Sequence, residues 1–171
     1  FAINAALYAK LPYDPLKDLE PLTLAVTTPN VLVAHPSFPA NNVKELIALA
    51  KSRPDGLNYS TGTTGTIGHL TGELFNIMAG TTITRVPYKS GNAETTDLIA
   101  GRVQLTFGSS ASVLPQVRAG KLRAIAVASP QPTFLAPGVP TINSTGLPGF
   151  ETSGTITGIW APAKTPAPVI A

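Results

Sequence analysis

Hydrophobic positions along the middle of the chain follow two alternating periods. Val43, Leu46, Ile47 and Ala50 fall at i, i+3, i+4 and i+7, the spacing of one helix face. Asn42 stands before this helix with Glu45 three residues on, a pairing that resembles a capping box. Pro54-Asp55-Gly56 ends it, and the run 57–60 reads as a strand. Three later segments share one design: an amphipathic stretch closed by Ala-Gly and followed at once by an apolar run. They are 67–80 then 81–86, 93–101 then 103–107, and 113–120 then 122–128. Glycine just past a helix end accepts the left-handed conformation that closes it. The closing residues Gly80, Gly101 and Gly120 lie 21 and 19 residues apart, a spacing that fits strand–helix–strand units.

Strands and helices alternating over short connections predict an α/β fold, a mostly parallel sheet with helices on both faces. The run Ala124-Ile125-Ala126-Val127-Ala128 is apolar throughout, as a strand covered on both sides should be. The regular part extends from about Asn30 to Ser129. Pro-rich stretches flank it at 11–21 and 130–148, and apolar residues interleave them, which predicts ordered, extended connections. Residues 155–161 predict a last strand, and 165–169 the start of a helix.

Composition narrows the function classes. The 171 residues allow one domain or one and a fraction, enough to bury a core without disulfides or metal. Charged residues make up 12% and hydrophobic ones 43%, which excludes a disordered tail. The net charge of +3 comes without a Lys/Arg cluster, so nucleic acid is not an expected partner. Zero cysteines exclude a disulfide scaffold, a Cys-ligated metal and a thiol nucleophile. No apolar run approaches the roughly 18–20 residues of a membrane span. Phe1-Ala2-Ile3-Asn4-Ala5 has neither the basic start nor the apolar stretch of a signal peptide.

The most informative segment is 59–70, Tyr-Ser-Thr-Gly-Thr-Thr-Gly-Thr-Ile-Gly-His-Leu. A strand runs into a loop of hydroxyls and glycines that opens a helix. Free N–H groups and the dipole at a helix start attract anions. Gly62, Gly65 and Gly68 have the wrong spacing for a dinucleotide fingerprint, and no Gly-Lys-Ser/Thr follows for a phosphate loop. With no Lys or Arg, the loop suits a carboxylate better than a polyphosphate; a plain capped helix is the other reading. A second strand-to-helix turn, 107–112, offers Ser109 and Ser110 as helix caps or ligand groups. In a third loop, 86–91, Tyr88 and Lys89 face a ligand or are a packed ring and a solvated ammonium.

Catalysis finds little support. Gly-x-Ser-x-Gly is absent, and His35 and His69 lack partners by spacing for a metal site. His69, one turn into a helix, should bond a neighbouring backbone group or touch a ligand. Glu45, Glu73 and Glu94 fall on predicted helix surfaces, and Asp97 could brace a loop. Neither a cofactor nor a metal is expected.

Together these motifs resemble a family. Leu11-Pro12-Tyr13-Asp14-Pro15, Lys44-Glu45-Leu46-Ile47, the 60–70 loop with its His-Leu, Val86-Pro87-Tyr88-Lys89 and Gly120-Lys121-Leu122-Arg123-Ala124 are similar to the Bug receptors. So are Val139-Pro140-Thr141, Gly146-Leu147-Pro148-Gly149-Phe150-Glu151 and Ala161-Pro162 with Thr165-Pro166. Those receptors are the periplasmic substrate-binding proteins of tripartite tricarboxylate transporters. The resemblance implies a periplasmic-binding-protein type II fold, whose two α/β domains, joined by two crossing strands, close on a small carboxylic acid. It implies a solute receptor that hands its ligand to membrane permease subunits. This chain would be the middle of such a receptor: 1–29 a piece of the first domain and first crossover, 30–148 the second domain, 149–171 the return crossover. A chain so divided should bind weakly by itself. The resemblance places Thr61, Gly62, Thr64, Gly65 and Thr66 at the carboxylate, Asn30 near the hinge and cleft, and Ser109 at the second loop.

Family members often carry an acid after the strand equivalent to 105–107, where this chain has Gly108. An amino-acid ligand is therefore not expected. Ser90 replaces a glycine usual after Tyr-Lys, and Ser144 a glutamate common after Val-Pro-Thr. A ligand-sensing domain of a transcriptional regulator is the alternative from another class, and a hydrolase with its nucleophile elsewhere a third.

Overall fold

The computed structural model describes residues 2–170 and divides them into two units, one spanning Thr28–Thr155 and the other formed by the segments on either side. Along the chain the elements are α1 (Ala2–Leu7), β1 (Leu19–Thr28), β2 (Asn30–Ala34), α2 (Val43–Ser52), β3 (Asn58–Thr61), α3 (Ile67–Ala79) and β4 (Thr84–Pro87). There follow α4 (Gly91–Ile99), β5 (Leu105–Ser109), α5 (Ser110–Arg118), β6 (Arg123–Val127), α6 (Ile142–Thr145), β7 (Thr155–Pro162) and α7 (Ala167–Ile170).

In the larger unit five strands form one sheet in the order β4-β3-β5-β2-β6. β3 runs parallel to β4 and β5, while β2 is antiparallel to both β5 and β6. Four strands thus point one way and β2 alone the other, a mostly parallel sheet. All five residues of β2 are buried. Side chains alternate across a strand, so Leu32 and Ala34 join one apolar cluster and Val31 and Val33 another. The first cluster takes Leu46 of α2, Phe75 of α3 and Ile142 of α6. The second takes Leu98 of α4 and Val113 and Leu114 of α5. Helices cover both faces, as the strand patterns require.

Local chemistry sets the boundaries. Asn42 caps α2 through the Glu45 N–H (2.9 Å), and Glu45 reaches back to the Asn41 N–H (2.7 Å), one residue further than in a standard box. The expected strand over 81–86 begins only at Thr84. Asn76 holds Ile83 by both its N–H and its carbonyl (3.1 and 2.9 Å), which removes that residue from the ladder. α6 lies within the stretch expected to be an extended connection. Thr141 starts it by accepting from the Ser144 N–H (3.0 Å), a one-turn device without periodicity.

The flanking unit pairs β1 with β7 in a two-stranded sheet. β1 includes Pro21, inside a stretch expected to be a connection; proline is tolerated because each strand of a two-stranded sheet has a free edge. Leu24, Val26, Ile156 and Ile159 of these strands are exposed.

The larger unit's core is tight where α3 crosses β3. A Cβ on Gly72 would lie 2.2 Å from the Tyr59 ring, itself packed edge-on against Phe107 with centroids 5.9 Å apart. Gly72→Ala is therefore expected to destabilise the protein by about 1–3 kcal/mol through overpacking. Urea unfolding checks this, and an unchanged midpoint would show that the helix lifts freely.

Candidate functional site

Because β3, β4 and β5 are parallel, their carboxyl ends emerge at one sheet edge, and antiparallel β2 brings its amino end there. Asn30 stands opposite Ser109 in the β2–β5 register. Alternation places Asn30, Thr61 and Ser109 on the α3 face of the sheet, the face of Leu32, Tyr59 and Phe107. The 62–66 loop leads from the end of β3 into α3 at this edge. Residues singled out from three separate stretches of chain thus converge.

They play different parts. Asn30 is 2% exposed, and its side-chain amide donates to the Phe107 carbonyl (2.7 Å) while its oxygen accepts from the Thr155 hydroxyl (3.4 Å). Its polar atoms bind the edge together. Thr61 is buried and donates to the Gly62 carbonyl (2.9 Å). Gly65 takes a positive φ of 84°, open to glycine without strain. Thr66 occupies the N-cap position of α3, yet its hydroxyl turns back to the Thr63 carbonyl (2.9 Å) and caps nothing. The N–H groups of Ile67, Gly68 and His69 are therefore the unsatisfied donors of a helix start, with no protein acceptor. Gly68 has no room for a side chain, since a Cβ there would lie 2.9 Å from the Phe107 carbonyl oxygen.

At the second loop Ser109 sits at the N-cap position of α5 without a side-chain cap bond. The Ser110 hydroxyl is buried with no hydrogen-bond partner. In the third loop Tyr88 is partly buried and donates to Asp97 (2.9 Å), which also pairs with Arg102 (2.6 Å), while Lys89 is exposed. Asp97 braces the loop, and Tyr88 is a packed ring. Ser90 caps α4 by accepting from the Ala93 N–H (3.3 Å), a role that needs a side-chain oxygen. A Cβ on Gly108 would meet Val113 at 2.3 Å, so packing bars an acid there unless Val113 moves.

Two expectations need correction. Glu73 and Glu94 are not simple surface groups. Glu73 accepts from the Tyr59 hydroxyl (2.6 Å), and burial, aided by this bond, raises the phenol's pKa. Glu94 accepts from Ser60 (3.1 Å) and Thr106 (2.6 Å), tying α4 to the opposite sheet face. Both carboxylates contact strand residues too far away in sequence for helical periodicity to flag.

Sequence reasoning missed Arg85. The loop has no cation of its own, but the Arg85 guanidinium reaches it from β4, donating from Nε to Thr61 Oγ1 (3.0 Å) and from an Nη to Thr64 Oγ1 (3.2 Å). The signal available was weak: one basic residue in a short strand. His69 behaves as expected, its Nδ1 accepting from the Gly65 N–H (3.2 Å), which closes the loop onto the helix. Burial, aided by Arg85, holds the imidazole pKa below the usual histidine value, against the opposing pull of Glu73. Among the described residues, no three His, Asp or Glu side chains gather to hold a metal, and no helix is long and apolar enough to cross a membrane.

The model of the tripartite tricarboxylate transporter family receptor matches residues 1–171. Rpa4515 from R. palustris, solved with adipate, is 37% identical, with a TM-score of 0.89 over 95% of this chain and 54% of that one. MatC from Rhodopseudomonas palustris, solved with malate, is 31% identical, with a TM-score of 0.88 over 98% and 57%. The periplasmic binding protein BugD is 32% identical, with a TM-score of 0.89 over 98% and 56%. The chain spans about half the length of the curated relatives it matches.

The His69 latch has a pH dependence of definite sign. The native state holds the neutral ring, so on acidification the unfolded chain takes up the proton first. Stability from this group is fully present above the ordinary value of about 6.5 and declines as pH falls from there toward the native midpoint. An NMR titration of the ring should give a midpoint below 6.5, with the Gly65 amide signal moving in step; a midpoint at or above 6.5 would refute the latch.

Proposed function

Since this chain belongs to the tripartite tricarboxylate transporter receptor family, whose members include the Bug proteins, we propose that its β3–α3 loop binds a carboxylate of a small organic acid. The observation that carries this reading is the open start of α3. Three successive N–H groups, of Ile67, Gly68 and His69, have no protein acceptor, and the helix dipole adds positive potential there. Thr61, Gly62, Thr64, Gly65 and Thr66 form the wall around them. Ser109 adds a hydroxyl from the second loop, and Asn30 holds the edge in shape. The adipate and malate bound by two relatives agree with this ligand class.

The role is binding, not catalysis. His69 Nδ1 is committed to a backbone N–H, and Glu73 and Glu94 to hydroxyls. Residues 30–148 correspond in this reading to one domain of the receptor, and segments that the longer relatives have beyond the matched half contribute the remaining recognition groups. The complete receptor is a periplasmic protein that passes its ligand to membrane subunits of a tripartite transporter.

Titration of the protein with adipate and with malate, followed by amide NMR, tests the assignment. Saturable shifts are expected at Gly65, Ile67, Gly68 and His69. Thr64→Ala combined with Thr66→Ala should weaken binding by about 1–3 kcal/mol. Shifts confined to other parts of the chain, or an unchanged affinity, would sink the loop assignment.

A further inference from the structure

The guanidinium of Arg85 is half-buried and has no carboxylate partner. The ion pairs among the described residues are Lys17–Asp14 and Arg102–Asp97, both elsewhere. Arg85 instead spends its donors on the loop: Nε on Thr61 Oγ1 at 3.0 Å, and Nη2 on Thr64 Oγ1 at 3.2 Å and the Gly62 carbonyl at 3.4 Å. Nη1 has no hydrogen-bond partner among the described residues. The register explains the reach. Arg85 stands beside Tyr59 in the parallel β3–β4 pair and so shares the α3 face with Thr61.

The two threonines end in different states. Thr61 accepts from Arg85 and passes its own proton to the Gly62 carbonyl. Thr64 also accepts from Arg85, but its proton goes to no protein group. A hydroxyl that accepts from a cation keeps its O–H available, and the accepted bond polarises that O–H into a stronger donor. The guanidinium, without an ion-pair partner among the described residues, grips the loop that leads to three free backbone N–H groups. Glu73, the acid that acts on the same surroundings, is engaged by the Tyr59 hydroxyl and not by Arg85.

We propose that Arg85 is a specificity-determining residue for an anionic ligand at this loop: it commits the Thr64 hydroxyl to donate to a carboxylate and supplies, from the neighbouring strand, the positive charge the loop lacks. The inference rests on the carboxylate reading above. Its added content is that charge, and not hydroxyls and backbone alone, sets affinity. Burial is the main cause of the lowered His69 pKa, and the Arg85 charge adds to it in the same direction.

The test compares the protein with Arg85→Gln and Arg85→Lys, using malate and adipate as probes at several salt concentrations and following the amide shifts. Arg85→Gln should weaken malate binding about tenfold and flatten its salt dependence. Arg85→Lys keeps the charge but loses the fork, so it should retain the salt dependence with intermediate affinity. Should Arg85→Gln fail to fold, the salt dependence of Arg85→Lys still decides. If the unaltered protein binds and Arg85→Gln matches it at every salt concentration, the inference falls and the carboxylate reading stands. Loss of salt dependence in Arg85→Lys would reduce Arg85 to a loop staple and overturn the inference. Absence of saturable binding by the unaltered protein to either acid would remove the carboxylate reading, and this inference with it.

Discussion

One buried hydrogen bond holds the edge of the sheet on which the rest is built. The Asn30 amide donates to the Phe107 carbonyl at 2.7 Å, linking the start of β2 to the middle of β5. The same carbonyl lies under Gly68, so the first turn of α3 rests on it. The other end of the amide receives the Thr155 hydroxyl, where the chain leaves this unit. Removing the amide would leave a buried carbonyl unpaired, at a cost of about 1–3 kcal/mol.

From that edge the division of labour follows strand parity. Residues on the face of Tyr59, Phe107 and Asn30 serve the β3–α3 loop, and their neighbours one position along serve the opposite helices. Thus Thr61 meets Arg85, whereas Ser60 meets Glu94 of α4. Thr106 bonds the Ser60 carbonyl and Glu94, which locks β3, β5 and α4 together beneath the second face. The polar groups of one face shape a loop, and those of the other hold the sheet rigid under it. A loop of small residues keeps its form because its support is over-determined.

The legibility of these features in the sequence varied with the range of the interaction. The α2 cap, the Ala-Gly helix ends and the hydroxyl-rich start of α3 depend on residues within a few positions of one another, and each stood out. The His69 bond to Gly65 spans four residues and was within reach of the same reasoning. The antiparallel direction of β2 was not visible, because Val31–Ala34 is apolar throughout and carries no directional signal. The Glu73 and Glu94 contacts were missed because helical spacing places both on a surface, and only the neighbouring strands reveal otherwise.

The sequence by itself determined the α/β class, the family and the loop that starts α3, since these rest on periodicity, capping chemistry and ordered motifs. Only the tertiary structure decided which groups share the loop. Thr61 and Arg85 are 24 residues apart, and Asn30 and Phe107 are 77 apart. Their meeting depends on strand order and register, which long-range packing fixes and local residue patterns do not encode. A loop with no cation of its own thus meets one from a neighbouring strand.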